Sequence, residues 1–359
     1  MSVSRLLAAA LLLTMSFLSC GNRHGHVEKA FYYWKNNGYS LSHDELMCLK
    51  NQGITKLYVK FFEVEPDAIL GQVPVAKSEL HIWNYSFSRD ADTVFKSTMK
   101  ALEIIPTVYI RNEALSGASS GRLDTLADNI YFLLGKLYKE HIDRTRPDFK
   151  EIQLDCDWTG STRENYFYLL RKIKAMSGKT ISCTLRLYPY KYRDKMGIPP
   201  ADKVVLMCYN LTNPLSDENK NSILDNRELE LYLANTTKYP LHLDLALPVF
   251  SWMQVWKNNQ FSGVITPKPH ELDSVIKPVK PLWYEVTSDK ELDNTYLRTG
   301  DKLKAEGVAA NDLKETVALL NRYIPADTSL TVILFHLDKN NLTLFDNETL
   351  TGLFTGFGR

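Results

Sequence analysis

The feature that most constrains the fold of this chain is an alternation of short strand-like runs with segments of helical spacing. Runs rich in β-branched and aromatic residues occupy positions 30–34, 56–62, 103–111, 151–158, 180–188, 203–210, 241–250 and 330–338. Segments with helical spacing lie between them, at 42–51, 90–101, 123–143, 162–176, 227–236 and 311–323. Such alternation indicates parallel strands joined by crossover helices. Eight units favour a closed (β/α)8 TIM-like barrel over an open doubly wound sheet.

Several of these runs carry polar side chains on one face and apolar side chains on the other. The polar positions are Glu151, Gln153, Asp155 and Asp157 in the fourth run, Ser182, Thr184, Arg186 and Tyr188 in the fifth, and His242 and Asp244 in the seventh. Successive side chains of a strand point to opposite faces, and a covering helix packs on the apolar face. The polar faces are therefore predicted to point into the barrel.

One stretch between the seventh and eighth runs does not fit a simple connection. Residues 252–307 are rich in Pro, Lys and Asp and are too long for an ordinary loop. We interpret about 253–307 as an insertion at the barrel rim, where ligand-binding loops occur. The stretch contains strand-like pieces at 263–266 and 282–287, and either of them is an alternative candidate for the eighth strand.

The start of the chain has the pattern of an export signal. Residues 1–19 combine Arg5, an apolar run at 6–13 and the ending Phe17-Leu18-Ser19, directly before Cys20. This pattern predicts a signal peptide with a lipobox-like end and lipidation of Cys20. The protein is then an exported, membrane-anchored lipoprotein of the periplasm or cell surface, with a linker at 20–29 and one barrel at 30–359. The alternative is an ordinary signal peptide cut nearby, with Cys20 a bystander.

The charge balance and the missing motifs limit the ligands of the barrel. The 43 Lys and Arg nearly match the 42 Asp and Glu, so no strong field would attract nucleic acid or an anionic membrane surface. We expect a glycan or other small neutral ligand, and membrane contact through the lipid anchor only. The sequence has no nucleotide-binding loop, serine elbow or zinc-protease motif. We predict no cofactor and no metal, since no second histidine lies at ligand spacing from His336 and Asp338.

The remaining cysteines have a spacing that resembles neither a zinc site nor a redox pair. Three of the four lie inside apolar strand-like runs, so the prediction is buried free thiols, with a disulfide as the alternative. They are Cys48, Cys156, Cys183 and Cys208.

Two acidic residues give the sharpest chemical signal in the chain. Asp155 and Asp157 end the fourth strand-like run two positions apart, so both project to one side at the C-terminal rim, where barrel enzymes place catalytic groups. Two nearby carboxylates repel, which raises one pKa and prepares an acid and a base in one site. The alternative is an ion-pair network in which Arg186 and Arg111 neutralise both acids. Both interpretations are compatible with each other.

Aromatic residues are concentrated after the predicted strands, at the same rim. They are Tyr33, Trp34, Trp158, Tyr188, Tyr190, Tyr209, Phe250 and Trp252. Sugar rings stack their apolar faces on aromatic planes, and their hydroxyls require polar partners nearby. The group favours a carbohydrate groove, led by Trp34, Tyr209 and Trp252. The alternative for each single residue is a core or loop anchor.

Two short motifs resemble a known family. Leu154-Asp155-Cys156-Asp157-Trp158-Thr159 resembles the Asp-x-Asp-x-Glu strand of chitinase-like glycoside hydrolases, and Leu206-Met207-Cys208-Tyr209-Asn210 resembles their Met-x-Tyr-Asp. The mature chain is also similar to a group of bacterial lipoproteins with Phe-Tyr-Tyr-Trp-Lys near the start and Asp-Cys-Asp-Trp-Thr in the middle, which brings no activity with it. The chain departs from the first family at Thr159, the position of its acidic Glu, and at Asn210. A threonine hydroxyl cannot act as the general acid near neutral pH.

The resemblance implies a glycoside hydrolase-like barrel with its site at the C-terminal rim. In it, Asp157 is the acid/base, Asp155 tunes its pKa, Tyr209 holds the reacting sugar, and Arg186 fixes the carboxylates. The acid could come instead from Glu63, Glu65, Asp244 or Asp338. The predicted substrate-binding residues are Trp34, Arg111, Arg186, Tyr188, Asn210, Asp244, Trp252 and Asp338.

Two further functions stay open at this point. One is a non-catalytic carbohydrate-binding lipoprotein that keeps the groove without the acid. The other is a structural or partner-binding lipoprotein, which predicts a filled lumen, paired lumenal charges and no pocket at the rim.

Overall fold

A closed barrel of parallel strands forms the body of the chain in the computed structural model. The structure describes residues 24–358 except 37, 39, 82–92, 143–147, 216–218, 269, 293 and 294, so the predicted signal peptide and Cys20 lie outside the described residues. The barrel strands are β1 (His26–Tyr33), β2 (Lys56–Asp67), β4 (Glu103–Ile110), β5 (Glu151–Asp155), β6 (Thr180–Leu185), β7 (Lys203–Met207), β8 (His242–Pro248) and β16 (Ser329–Phe335). Each pairs in parallel with its neighbours, and β1 closes the ring by pairing with both β2 and β16. The predicted (β/α)8 barrel is confirmed.

Helices cover the barrel. They are α1 (His43–Asn51), α2 (Thr93–Ala101), α3 (Ser120–His141), α4 (Arg163–Ser177), α5 (Leu187–Lys191), α6 (Arg193–Met196), α7 (Asn226–Leu233), α8 (Ala310–Tyr323), α9 (Lys339–Leu342) and α10 (Asn347–Thr355). Helical spacing predicted α1 to α4, α7 and α8, whereas α5, α6, α9 and α10 were not predicted. The fifth barrel strand, β6, ends at Leu185, earlier than the predicted run at 180–188, because the chain turns into α5 directly after it. Pro189 lies in the first turn of α5, where a residue without an N–H is tolerated.

The two faces of the barrel strands differ as the sequence predicts. On β5, Ile152 and Leu154 are fully buried in the core between sheet and helices, while Glu151 and Gln153 point to the lumen and are also buried. The lumenal residues find polar partners there: Ser182 of β6 donates to Glu151 at 2.6 Å, and Thr107 of β4 donates to Gln153 at 3.3 Å. The lumen is therefore a packed polar core.

The insertion between the seventh and eighth barrel strands folds as a small antiparallel sheet. Its strands are β9 (Trp252–Lys257), β10 (Gln260–Ile265), β11 (Ile276–Lys280), β12 (Trp283–Val286) and β15 (Lys302–Glu306), in the order β10-β9-β15-β12-β11. A hairpin, β13 (Lys290–Leu292) and β14 (Thr295–Leu297), lies outside this sheet. Val255, Val286 and Leu303 belong to a core of its own. The two alternative candidates for the eighth strand thus belong to β10 and β12, and β16 is the eighth strand.

The C-terminal rim and the N-terminal face of the barrel are each marked by a contact outside the barrel strands. A short strand, β3 (Gly71–Val75), pairs antiparallel with the end of β2 and extends it at the C-terminal rim. At the opposite end, the N–H of His24 donates to the carbonyl of Phe357 at 2.9 Å, just before β1 begins. The described chain therefore starts at the N-terminal face of the barrel, opposite the rim that carries the predicted site.

The four cysteines of the described chain, Cys48, Cys156, Cys183 and Cys208, are buried free thiols, as predicted. Among the described helices, none has the length and apolar character needed to cross a membrane.

Candidate functional site

A cavity of about 730 Å³ opens where β5, β6 and β7 end. This volume lies within the range of small-molecule sites, roughly 300–1,000 Å³. Its lining includes five of the predicted catalytic and substrate-binding residues, together with Trp158 of the predicted aromatic group and several residues that were not predicted. The five are Asp157, Arg186, Tyr188, Tyr209 and Asn210. The cavity thus forms at the C-terminal rim, since the carboxyl ends of neighbouring parallel strands meet at one edge.

Asp157 and Arg186 form a two-pronged ion pair on the wall of this cavity. The Nε of Arg186 lies 2.7 Å from Oδ1 of Asp157, and its Nη2 donates to Oδ2 at 3.0 Å. The third guanidinium nitrogen, Nη1, donates to the backbone carbonyl of Asn210 at 3.4 Å. Arg186 thereby links the ends of β5, β6 and β7. A bidentate pair of this kind binds the ionised carboxylate and fixes its plane.

Asp155 lies deeper than Asp157 and is the acid with the unusual pKa. Its side chain is buried and accepts a hydrogen bond from the Thr184 hydroxyl at 2.5 Å. Burial, and after it the charge of Asp157, raise the pKa of Asp155 to about 7, against the smaller opposing effects of Thr184, Arg186 and Lys60. We expected Asp157 to hold the proton and Asp155 to tune it. The structure instead places the raised pKa on Asp155.

Tyr209 is the aromatic residue that joins the cavity to the lumen. Its ring lies 5.1 Å from Phe335 and 6.1 Å from Phe250, measured between centroids. Burial raises the pKa of Tyr209 well above its usual value, so the hydroxyl stays protonated and can donate. Phe335 also contacts Trp34 at 5.8 Å. The sequence analysis missed Phe335, although the alternation from Thr331 along β16 places it on the lumenal face.

Asn210 combines two unusual features at the cavity wall. Its φ of 52° lies in the left-handed region, which asparagine tolerates better than most residues. The side-chain Oδ1 of Asn210 is buried without a hydrogen-bond partner. An unsatisfied buried acceptor costs about 1–3 kcal/mol, so a donor from a ligand would stabilise this loop.

The aromatic residues of the rim divide into cavity and core. Tyr188 lies at the cavity, 46 % exposed, with its ring centroid 4.7 Å from that of Tyr192. Trp158 also reaches the cavity but is 4 % exposed and stacks on Tyr166 at 5.2 Å. For three others the core-anchor alternative is correct, since all are buried. These are Tyr33, Tyr190 and Phe250. Tyr232 of α7 lines the cavity and was not predicted.

Arg111 does not neutralise the two aspartates, contrary to the network that we considered. It pairs with Glu65 at 2.7 Å and approaches Glu63 at 3.9 Å, across β2 and β4. Glu63 also accepts a short hydrogen bond from the buried Lys60. The Lys60 ammonium lies 5.5 Å from the ring centroid of Trp34. These residues form a second polar group beside the mouth, outside the lining of the cavity.

Asp244 lies in the lumen, away from the rim, where it has a structural role. Lys203 lies 3.2 Å away, His242 Nε2 lies 3.1 Å away, and the N–H of Thr331 donates to it at 2.7 Å. Burial alone would raise the pKa of Asp244, but these partners hold it at about 2. A fully buried and fully paired carboxylate of this kind neither contacts a ligand nor delivers a proton.

Asp338 and Trp252 are both held by neighbouring elements. Asp338 pairs with Lys35 at 2.7 Å and caps α9 by accepting from the N–H of Asn340 at 2.8 Å. Trp252 donates through Nε1 to Glu306 at 2.8 Å, at the base of the insertion. Both residues position rim loops and lie outside the lining of the cavity.

Two further observations concern a possible metal site and the hypothesis of a structural protein with a filled lumen. Within the part of the chain that the structure describes, no group of three or more His, Cys, Asp or Glu side chains has the arrangement of a metal site. The lumenal charges around Lys203 are paired, as the structural hypothesis requires. That hypothesis also requires the absence of a pocket at the rim, which the cavity contradicts.

Comparison with known proteins supports the fold. No family model and no curated protein matches the sequence. Among solved structures, the spore cortex-lytic enzyme SleL of Bacillus megaterium QM B1551 is 15 % identical, with a TM-score of 0.52 over 95 % of this chain and 76 % of that chain. SleL of Bacillus cereus is 14 % identical, with a TM-score of 0.50 over 93 % and 75 %. The Group IV chitinase of Ostrinia furnacalis is 11 % identical, with a TM-score of 0.49 over 92 % and 99 %. At these identities the likeness shows a shared fold and nothing more, and only the two SleL structures, with TM-scores of 0.50 and above, support it.

Proposed function

We propose that the cavity at the barrel mouth binds a glycan. The observation that carries this proposal is the combination of surfaces in one cavity: the rings of Tyr188 and Tyr232 beside the Asp157–Arg186 pair. A sugar ring needs an apolar plane for its C–H face and fixed donors and acceptors for its hydroxyls. The cavity offers both. The shared fold with two spore cortex-lytic enzymes supports the proposal without establishing it.

The geometry favours binding over hydrolysis by Asp157. Arg186 engages both carboxylate oxygens and fixes the Asp157 side chain as a hydrogen-bond acceptor on the cavity wall. Thr159, at the position of the missing Glu, has a hydroxyl that bonds to Ser161 at 2.9 Å. In this arrangement Asp157 accepts hydrogen bonds from sugar hydroxyls and Arg186 holds it in place.

A second candidate function, glycoside hydrolysis with Asp155 as proton donor, is favoured by one observation. The pKa of Asp155, raised to about 7, leaves a carboxylic acid partly protonated at neutral pH, as a general acid requires. Asp155 is only 7 % exposed, so the substrate would have to reach past the cavity wall. A product assay distinguishes the two functions.

Binding is tested by replacing Tyr188 with alanine. We expect Tyr188→Ala to weaken the binding of the cavity's glycan by up to about tenfold, because stacking on an aromatic ring is worth roughly 0.5–1.5 kcal/mol. The measurement is isothermal calorimetry against oligomers of N-acetylglucosamine, glucose and xylose, with product analysis of each mixture. Tyr296→Ala is the matched control, since Tyr296 is equally exposed, at 47 %, on the hairpin β13–β14.

Each outcome of this experiment has a defined meaning. Binding that Tyr188→Ala weakens and Tyr296→Ala leaves intact, with no product, supports glycan binding. Product formation that Asp155→Asn abolishes supports the second candidate instead. If none of the oligomers binds, or if Tyr188→Ala binds as well as the native protein, the site that we propose is wrong.

We further propose that Cys20 is lipidated and anchors the N-terminal face of the barrel to a membrane. Only three residues lie between Cys20 and His24, which limits the distance to about 14 Å even for an extended chain. Because His24 lies opposite the rim, the cavity would then open away from the membrane. That orientation suits a polymeric or soluble glycan.

The anchor is tested in a bacterial host fed with labelled palmitate. We expect the native protein to carry the label and to fractionate with membranes, and Cys20→Ser to lose the label and remain in the soluble or precursor fraction. Cys48→Ser is the control and should keep the label. An unlabelled native protein, or a labelled Cys20→Ser variant, would show that the N-terminus is an ordinary signal peptide or is retained.

A further inference from the structure

One side of the cavity at the barrel mouth is formed by an irregular segment, residues 210–214, which we call the wall segment. All five of its residues line the cavity. It begins three residues after the end of β7 and contains no helix or strand. Since a segment of this kind has no regular ladder of hydrogen bonds, contacts with other parts of the molecule must fix its position.

The start of the wall segment is held by the chain just before α7, at Ser222 and Ile223. The N–H of Asn210 donates to the carbonyl of Ile223 at 2.9 Å, and the N–H of Leu211 donates to the carbonyl of Ser222 at 3.0 Å. These backbone bonds end at Leu211, so they leave the position of Pro214 to other contacts.

The insertion holds the other end of the wall segment through one glutamine. Nε2 of Gln254, on β9, donates to the carbonyl of Pro214 at 3.1 Å and to Oε2 of Glu306 at 2.9 Å. Oε1 of Gln254 accepts from the indole N–H of Trp256 at 3.1 Å, so the whole amide is engaged. Gln254 is fully buried, so water cannot replace its bond to Pro214.

Glu306, on β15, joins the same part of the insertion to the chain before α7. Its Oε1 accepts from the N–H of Ser222 at 2.9 Å, and its Oε2 accepts from the Ser222 hydroxyl at 3.1 Å. Burial raises the pKa of Glu306, but its hydrogen-bond donors, led by Trp252, hold the pKa below its usual value, so the carboxylate is ionised. Hydrogen bonds to an ionised acceptor are stronger than those to a neutral one.

The two residues that make these contacts belong to a sheet with a hydrophobic core of its own. Gln254 and Glu306 lie on β9 and β15, which pair with each other. Val255 and Leu303 are partners across the same two strands and are buried in the core of the insertion. The sheet therefore fixes both side chains, and they in turn hold both ends of the chain that forms the cavity wall.

We propose that Gln254 and Glu306 are positioning residues, through which the insertion fixes the wall segment and decides which glycan the cavity accepts. This proposal rests on the function proposed for the mouth. A wall that is already in place loses little conformational freedom when a ligand binds, and it excludes sugar rings whose substituents do not fit. A wall without these bonds would bind the best ligand less tightly and would distinguish less between ligands.

The test is Gln254→Met, which keeps the length of the side chain and removes its hydrogen bonds. The amides of Asn210 and Leu211 should exchange hydrogen about tenfold faster than in the native protein, because local opening of the wall becomes easier. Among oligomers of N-acetylglucosamine, glucose and xylose, the affinity for the tightest should fall about tenfold, and the affinities for the other two should fall less or rise. Gln260→Met is the matched control, since Gln260 is exposed on the neighbouring strand β10.

A second variant covers the case in which urea unfolding shows that Gln254→Met has lost its fold. Ser222→Ala removes one of the two bonds to Glu306 and should act in the same direction, by about threefold.

The possible results separate this proposal from the one for the mouth. Unchanged exchange of both amides would overturn the positioning role. A variant that ranks and separates the oligomers as the native protein does would show a purely structural role and overturn it as well, while the mouth still binds its glycan. If the native protein binds none of the oligomers, the function proposed for the mouth is wrong and the positioning role falls with it.

Discussion

Replacing Lys203 with methionine is expected to lower the free energy of unfolding by about 3–5 kcal/mol, the usual effect of removing one partner from a buried ion pair. The Lys203 ammonium lies 3.0 Å from Glu151 and 3.2 Å from Asp244, deep in the lumen. Burial by itself lowers the pKa of Lys203, but these two carboxylates raise it above its usual value, so the lysine is charged. Without it, Glu151 and Asp244 lose the cation that they share, and only His242 remains beside Asp244.

Urea unfolding measures this loss as a lower midpoint with an unchanged dependence on denaturant. Lys136→Met is the control, because the exposed pair of Lys136 with Glu140, at 4.0 Å, should contribute less than about 1 kcal/mol. Combining Lys203→Met with Glu151→Gln and Asp244→Asn should recover part of the stability, since the neutral amides no longer repel. A loss below about 1 kcal/mol for Lys203→Met would contradict the assignment of this cluster as the polar core of the lumen.

The second large effect is the pH dependence of stability caused by Asp155. The pKa of Asp155 is about 7 in the folded protein, against the usual 3.8. Between these values the folded protein holds a proton that the unfolded chain has lost, so stability falls as pH rises from about 4 to about 7. At about 1.36 kcal/mol for each pKa unit, the fall amounts to at most about 4 kcal/mol. Asp155→Asn cannot titrate and should not show this fall.

The measurement is urea unfolding of the native protein and of Asp155→Asn at several pH values from 4 to 8. The native protein should lose stability relative to the variant as pH rises. Asp244→Asn is the matched control in the same lumen: the pKa of Asp244 is about 2, below the usual 3.8, so its contribution is complete above pH 4 and is lost only at lower pH. A stability difference between the native protein and Asp155→Asn that does not vary with pH would refute the raised pKa.

Thr184→Val extends this test, because the Thr184 hydroxyl donates to Asp155 and lowers its pKa. Its removal should raise the pKa further, so that part of the fall in stability moves to higher pH.

Much of the fold was predictable from local patterns. On β5, the alternation of Ile152 and Leu154 with Glu151 and Gln153 determines which face meets a helix, since a helix can cover only the apolar one. The same alternation on other strands predicted a lumen lined with polar groups, and eight repeats of the unit predicted closure. Helix α1 also followed from local signals, because Ser42 and Glu45 form a capping box at its start.

The candidate site was only partly predictable. Asp157, Arg186, Tyr209 and Asn210 all follow directly after strands, and parallel strands bring such positions together. Asp244 is also on a lumenal face, but it lies early in β8 and therefore deep in the lumen. A pattern with period two gives the face of a residue and says nothing of its depth along the barrel axis.

The sequence by itself determined which side chains turn inward and that eight strand–helix units form a ring, because alternation and helical spacing are local properties of the chain. The tertiary structure decided which charges meet. Arg111 lies opposite Glu65, and Arg186 opposite Asp157. Whether Asp155 or Asp157 has the raised pKa depends on burial and on neighbours from other strands. The contact between Trp256 and Trp283 in the insertion likewise depends on how separate strands pair. Distances between residues far apart in sequence are set by strand register and stagger, which no short motif contains.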